Sequence, residues 1–275
     1  MNFPKLVDAT LDRQGNTAVL TFNRDDVRNV LTGTGLIDDI ENAVNWLNQQ
    51  DDIQVLVVTG AGKAFSAGGN LKEMAGRAST HADGPYSGTP AEVESRYRHG
   101  IQRIPRAMSE LKIPSIAAVN GAAIGAGFDL ALMCDLRLAS TEAKMGETFI
   151  SLGLISGVGG AYWLTRALGP QLAAELSLTG RVLTATEALD KGILLSVTEP
   201  EQLVPQALEL AAQMANKPPQ TLRWTKQLLQ QAQFQTLDDH LKLCAQLQGH
   251  CHNQDDHLEA VNAFLEKRSP SFKGC

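Results

Sequence analysis

The stretch Asn120-Gly121-Ala122-Ala123-Ile124-Gly125-Ala126-Gly127-Phe128-Asp129 carries the decisive pattern. It follows Pro114 and a fully apolar run, Ser115 to Val119 (SIAAV), which reads as a buried strand. It then passes through small residues into a short helical segment and a further strand, Cys134 to Ala139. Upstream, Thr17 to Phe22 (TAVLTF) and Ile53 to Thr59 (IQVLVVT) are again strands. Between them Ile37, Ile40, Val44 and Leu47 recur at helical spacing. Continuous apolar strands alternating with amphipathic helices predict an α/β fold, a largely parallel sheet covered by helices.

A second small-residue turn, Lys63-Ala64-Phe65-Ser66-Ala67-Gly68-Gly69-Asn70-Leu71, follows the strand at Ile53. Small residues let a ligand approach the backbone, and the first N–H groups of a helix lack internal partners. Two such turns side by side at the carboxyl edge of a sheet aim two N–H donors at one oxygen, which is how an oxyanion hole is built. Turns of this kind also bind phosphates or simply allow close helix packing. Neither is a Walker loop, because no Gly-Lys-Ser/Thr follows. Gly121, Gly125 and Gly127 lack the dinucleotide spacing.

From about Gly157 onward strand signals almost vanish. Pro200 to Met214, Pro219 to Ala232, Thr236 to Gln248 and Asp256 to Glu266 read as helices, a layer that packs on the sheet or on another subunit. The aperiodic, small-residue stretch between Ala75 and Ser95 reads as a surface loop placed to cover a site. With 43% hydrophobic and 20% charged residues among 275, the chain is an ordinary globular protein. Its net charge of −6 and lack of any Lys/Arg run argue against nucleic acid or an anionic membrane as partner. Met1 to Thr10 has no apolar core of a signal peptide, and Cys134, Cys244, Cys251 and Cys275 fit no disulfide framework. A cytoplasmic protein with reduced thiols is expected.

The ordered motifs K-A-F-S-A-G-G-N-L-K-E-M, A-V-N-G-A-A-I-G-A-G-F-D-L-A-L-M-C-D, G-L-I-S-G-V-G-G and E-A-V-N-A-F-L-E-K-R-S-P-S-F-K-G resemble the signature of the crotonase (enoyl-CoA hydratase/isomerase) superfamily. The match runs from roughly Thr17 to Lys273. The resemblance implies a crotonase-like spiral of ββα turns over residues 1–200 and a helical trimerisation region over 201–275. It further implies a homotrimer or dimer of trimers, and an acyl-CoA thioester as substrate with no other cofactor and no metal. Hydration of a 2-enoyl-CoA is the leading expectation. Decarboxylation, thioester hydrolysis and plain acyl-CoA binding are the alternatives.

Carried over residue by residue, the resemblance places the hole's donors on the N–H groups of Gly69 and Ala126. Typical hydratases carry two glutamates. Here the first position holds Asp129 and the second Phe149, which cannot move a proton. Glu147, two residues earlier, would share the face of Phe149 if the segment were extended and so supply the missing carboxylate; a surface glutamate is the other reading. Gly157 stands where some relatives place a catalytic aspartate. Val27 and Arg28 in the loop Asn23 to Val30, with Phe65, Ala67 and Gly68, are expected around the CoA. Phe264 and Lys267 are expected to reach the CoA of a neighbouring subunit. Leu71, Met74 and Phe149, with the loop after Ala75, should form the acyl pocket. Asp135 is expected to satisfy backbone groups.

Overall fold

A computed structural model describes residues 3–75 and 86–274. The expected loop falls largely on residues 76–85, outside the described residues. The chain opens with an antiparallel pair, β1 (Ala9–Gln14) and β2 (Thr17–Phe22). The amphipathic helix α1 (Leu36–Leu47) then leads to β3 (Val55–Gly60), which lies parallel to β2. After it come β4 (Ala64–Ser66), α2 (Leu71–Ala75), α3 (Pro90–His99) and α4 (Arg103–Glu110). The decisive stretch becomes β5 (Ser115–Val119), β6 (Ala122–Ile124) and α5 (Ala126–Met133), followed by β7 (Leu136–Ser140) and β8 (Lys144–Gly146). Then follow α6 (Gly160–Thr179, broken at Gly169 before Pro170), β9 (Val182–Thr184), α7 (Ala185–Asp190) and β10 (Ser196–Thr198). Helices α8 (Pro200–Ala215), α9 (Pro219–Gln231), α10 (Leu237–His252) and α11 (Asp255–Glu266) complete the chain.

The strands form two sheets. The larger runs β1-β2-β3-β5-β7-β10, parallel from β2 onward; the smaller runs β4-β6-β8-β9. Every residue of β3 and β5 is buried, as continuous apolar strands demand. One face of the large sheet meets α1, α4 and α5. The other meets α8, whose Leu203, Ala207 and Ala211 pack on Val19, Val55, Val57 and Ile116.

The small sheet positions the site. Its strands β4, β6 and β8 are three residues each and mutually parallel, and each ends in a turn bearing a candidate functional residue. Bare glycines let these turns touch. A Cβ on Gly121 would overlap the Lys63 carbonyl, and one on Gly127 would lie 2.8 Å from the Ser66 Cβ. Asn29, fully buried, laces the neighbouring loop on: its Nδ2 donates to the carbonyls of Ala64 and Ala61 at 2.8 and 3.0 Å. C-terminal helix α9 is anchored by Lys226, 5% exposed, which donates to the Ile113 carbonyl and to Asp135, each at 2.8 Å. Asp135 also accepts from the Ser115 amide at 2.8 Å, the backbone role expected of it.

Candidate active site

At the ends of β4 and β6 the two turns meet. Gly68 has φ of +78°, a left-handed conformation natural only to glycine, and its missing Cβ would sit 3.0 Å from the Ala126 nitrogen. Gly125, at φ +54°, precedes α5, so Ala126 is that helix's first residue. Among the described residues neither the Gly69 nor the Ala126 N–H has an internal hydrogen-bond partner. Both residues line one cavity of about 260 Å³. Two adjoining, unpartnered donors on one wall have the geometry an oxyanion hole requires.

The remaining wall is mostly apolar. Ile37, Met74, Ile101, Phe149 and Val158 contribute to it, with Tyr86 and Tyr97. The Phe149 ring lies against Gly125, its Cζ 3.4 Å from where a Cβ would be. The Tyr97 ring fills the space a side chain at Gly157 would take, with Cδ1 2.6 Å from that Cβ position. The aspartate some relatives carry there is therefore replaced by a phenol from α3. Met74 covers Gly69, its Cε 2.6 Å from the position of a Cβ.

Asp129 and Glu147 lie one layer deeper. Asp129 follows Ala126 by three residues, one turn into α5, and is fully buried; Glu147 is 4% exposed. Neither lines the cavity. The extended geometry expected of the Glu147 segment is not adopted. Residues Thr148–Leu152 form a 3-10 helix, which turns Phe149 to the cavity and leaves Glu147 beside Asp129, not on the surface. The two carboxyls meet at the start of α6. A Cβ on Gly160 would overlap Glu147 Oε1 and lie 2.7 Å from Asp129 Oδ1.

Burial pushes both carboxyls up, Asp129 well above its ordinary value and further still through the charge of Glu147. Ser156 opposes the rise: its Oγ donates to Asp129 Oδ2 at 2.7 Å and accepts from the Gly160 amide at 2.8 Å. Among the described residues no hydrogen bond from another group reaches Asp129 Oδ1 or Glu147 Oε2. Burial and mutual repulsion oppose a charge on both at once, and the amino end of α6 favours a single negative charge there.

The other expected residues divide. Phe65 is fully buried against Phe22, ring centroids 5.7 Å apart. It is therefore a core residue and cannot wall a CoA pocket. Leu71, 56% exposed, does not reach the inner cavity but lines an adjoining apolar groove with Leu152 and Leu154. Arg28 is exposed, and its carbonyl accepts from the Ala67 amide at 2.9 Å, so the Val27–Arg28 loop does border the first turn. Phe264 is 82% exposed on α11 and Lys267 caps that helix in a left-handed conformation; neither touches the cavity. Sequence reasoning missed Thr32, Glu73, Tyr86, Tyr97 and Ser156. A capping box, Thr89-Pro90-Ala91-Glu92, announces α3 and so Tyr97; the other four carry no local signal.

Comparison with known proteins agrees with this geometry. The family model described as enoyl-CoA hydratase/isomerase matches residues 12–275. A 2,3-dehydroadipyl-CoA hydratase of Escherichia coli is 35% identical over 96% of this chain and 98% of that protein. A probable mitochondrial enoyl-CoA hydratase of Dictyostelium discoideum is 32% identical over 98% of this chain and 92% of that protein. The crystal structure of an enoyl-CoA hydratase from Bacillus anthracis superposes with a TM-score of 0.89 at 31% identity, covering 98% of this chain and 100% of that one. A cavity walled by paired backbone donors, on a fold shared over nearly its whole length with these hydratases, places the chain in the enoyl-CoA hydratase/isomerase family.

Proposed function

We propose that this protein adds water across the double bond of a 2-enoyl-CoA, with Gly69 and Ala126 holding the thioester oxygen. The observation that carries the reading is the pair of unpartnered N–H groups on one apolar cavity. As the hydroxyl adds to the β-carbon, the π electrons move onto the thioester oxygen, and the two donors grip the enolate more tightly than the starting carbonyl. The enolate then takes a proton at the α-carbon. Asp129 and Glu147, sharing one proton a layer behind Phe149, are its reservoir, and displacement of that ring by the acyl group brings it to the substrate.

In this reading Val27, Arg28, Ala67 and Gly68 border the CoA. The exposed Phe264 and Lys267 complete the CoA site of a neighbouring subunit in a homotrimer or dimer of trimers. Residues 1–200 would then be the catalytic core and 201–275 the assembling region. Among the described residues no helix is long and apolar enough to cross a membrane; a cytoplasmic location is part of the proposal.

The test is turnover of purified protein on enoyl-, malonyl- and β-hydroxyacyl-CoA thioesters, with products read by mass. Gain of one water on an enoyl-CoA, lost in Asp129→Asn, is the expected result. Release of CO₂ or of free CoA, with no hydration, would refute it.

A further inference from the structure

The carboxyl pair does not touch the cavity, yet hydration needs a group in the cavity to hold water and accept its proton. Among the described residues of the wall there is one carboxylate, Glu73 of α2. It is half-buried and reaches back over the loop before α1. A Cβ on Gly33 would overlap its Oε1 and lie 2.8 Å from its Cδ. Gly33, at φ +73°, is thus the seat of this carboxyl, and any side chain there would evict it.

The seat adjoins the oxyanion hole. Thr32 Oγ1 lies 4.0 Å from the Cβ position of Gly69, accepts from the Asn70 amide at 2.8 Å and accepts from the Tyr86 hydroxyl at 3.1 Å. Burial raises the Tyr86 hydroxyl above its usual range, with a small further rise from Glu73. Glu73, Thr32 and Tyr86 therefore form one polar edge beside Gly69 in a chamber whose other polar side chains are Arg96 and Tyr97 of α3, the arrangement of a site that orients a polar reactant. Neither a salt bridge nor a hydrogen bond within the described residues occupies the Glu73 carboxylate.

We propose that Glu73 is the general base that activates the water. The inference rests on the hydratase reading. The water O–H bond breaks as its oxygen bonds to the β-carbon, and the proton passes to a Glu73 oxygen. The enolate held by Gly69 and Ala126 then takes the proton shared by Asp129 and Glu147 at its α-carbon. Glu73 releases its proton to solvent, from which the buried pair is refilled, so the cycle consumes one water and nothing else. The acid and the base thus come from different walls, which explains how one family carboxylate position can hold phenylalanine.

The experiment compares the unmutated protein with Glu73→Gln and Glu73→Asp, measuring hydration of crotonyl-CoA and equilibrium binding of saturated butyryl-CoA. General-base loss lowers kcat about 100-fold or more in Glu73→Gln. Partial recovery is expected in Glu73→Asp, with butyryl-CoA binding unchanged in both. If the unmutated protein hydrates and Glu73→Gln keeps kcat within about threefold, Glu73 is not the base, while the hydratase reading stands. Loss of butyryl-CoA binding in Glu73→Gln would make Glu73 a packing residue and overturn the proposal. An unmutated protein that hydrates nothing overturns the hydratase reading and the base with it.

Discussion

Replacing Gly68 by alanine tests the hole at its hinge. The new methyl would overlap the Ile124 carbonyl and lie 3.0 Å from the Ala126 nitrogen and 3.3 Å from the Gly127 nitrogen. All three are backbone atoms, so relief requires the two turns to separate. Holding alanine at φ +78° costs about 1–2 kcal/mol, and the overpacking costs about 1–3 kcal/mol more. Separation pulls one donor off the thioester oxygen, worth about 2.7–4 kcal/mol in the transition state, or roughly 100- to 1,000-fold in kcat. Gly15→Ala is the control. Its φ is +59° but nothing lies within 4 Å of the added methyl, so it carries the backbone strain without the collision. Enoyl thioester absorbance gives kcat, and urea unfolding gives stability. A folded Gly68→Ala protein with unaltered kcat would refute the argument that these turns form the hole.

Two predictions concern buried charge. The folded state holds a proton on Asp129 that the unfolded chain releases above its ordinary value of 3.8. The stability tied to this proton is full below that value and is lost as pH rises through the elevated folded value. Asp129→Asn removes the loss, so its melting temperature relative to the unmutated protein should be higher at pH 8 than at pH 5; an equal difference at both would contradict the shared proton. Lys226→Ala should destabilise by about 3 kcal/mol in urea, the low end for a buried pair because the Asp135 side chain is 32% exposed, and a loss below about 1 kcal/mol would show that α9 is held by packing alone.

The large sheet was legible because its strands are buried on both sides and read as unbroken apolar runs. Ser115–Val119 matches β5 residue for residue, and the helix marked by Ile37, Ile40, Val44 and Leu47 lies within α1. The small sheet was not, since three residues such as Ala64–Ser66 hold no period, and their pairing is set by contacts with distant strands. The meeting of the two small-residue turns was legible in their glycines. The carboxyl pair was only half so: Asp129 followed from the family pattern, whereas Glu147 turned inward because its segment coils into a 3-10 helix instead of running extended. Phe65 was placed at the pocket by the family resemblance, but its ring packs against Phe22 in the core. Glu73 and Tyr97 reach the cavity only through tertiary packing, which no local spacing encodes.

The three strands β4, β6 and β8 have a consequence for how the chain reaches its native state. Each is too short to persist alone, and each joins a neighbour more than fifty or about twenty residues away in sequence, Ala64 with Ala122 and Ala122 with Lys144. Parallel pairings of that kind close long loops before any contact rewards them, so they form late. A refolding chain would acquire its helices first and the two aligned N–H groups near the end. Catalytic competence is then a stricter witness of the finished fold than any measure of helix content.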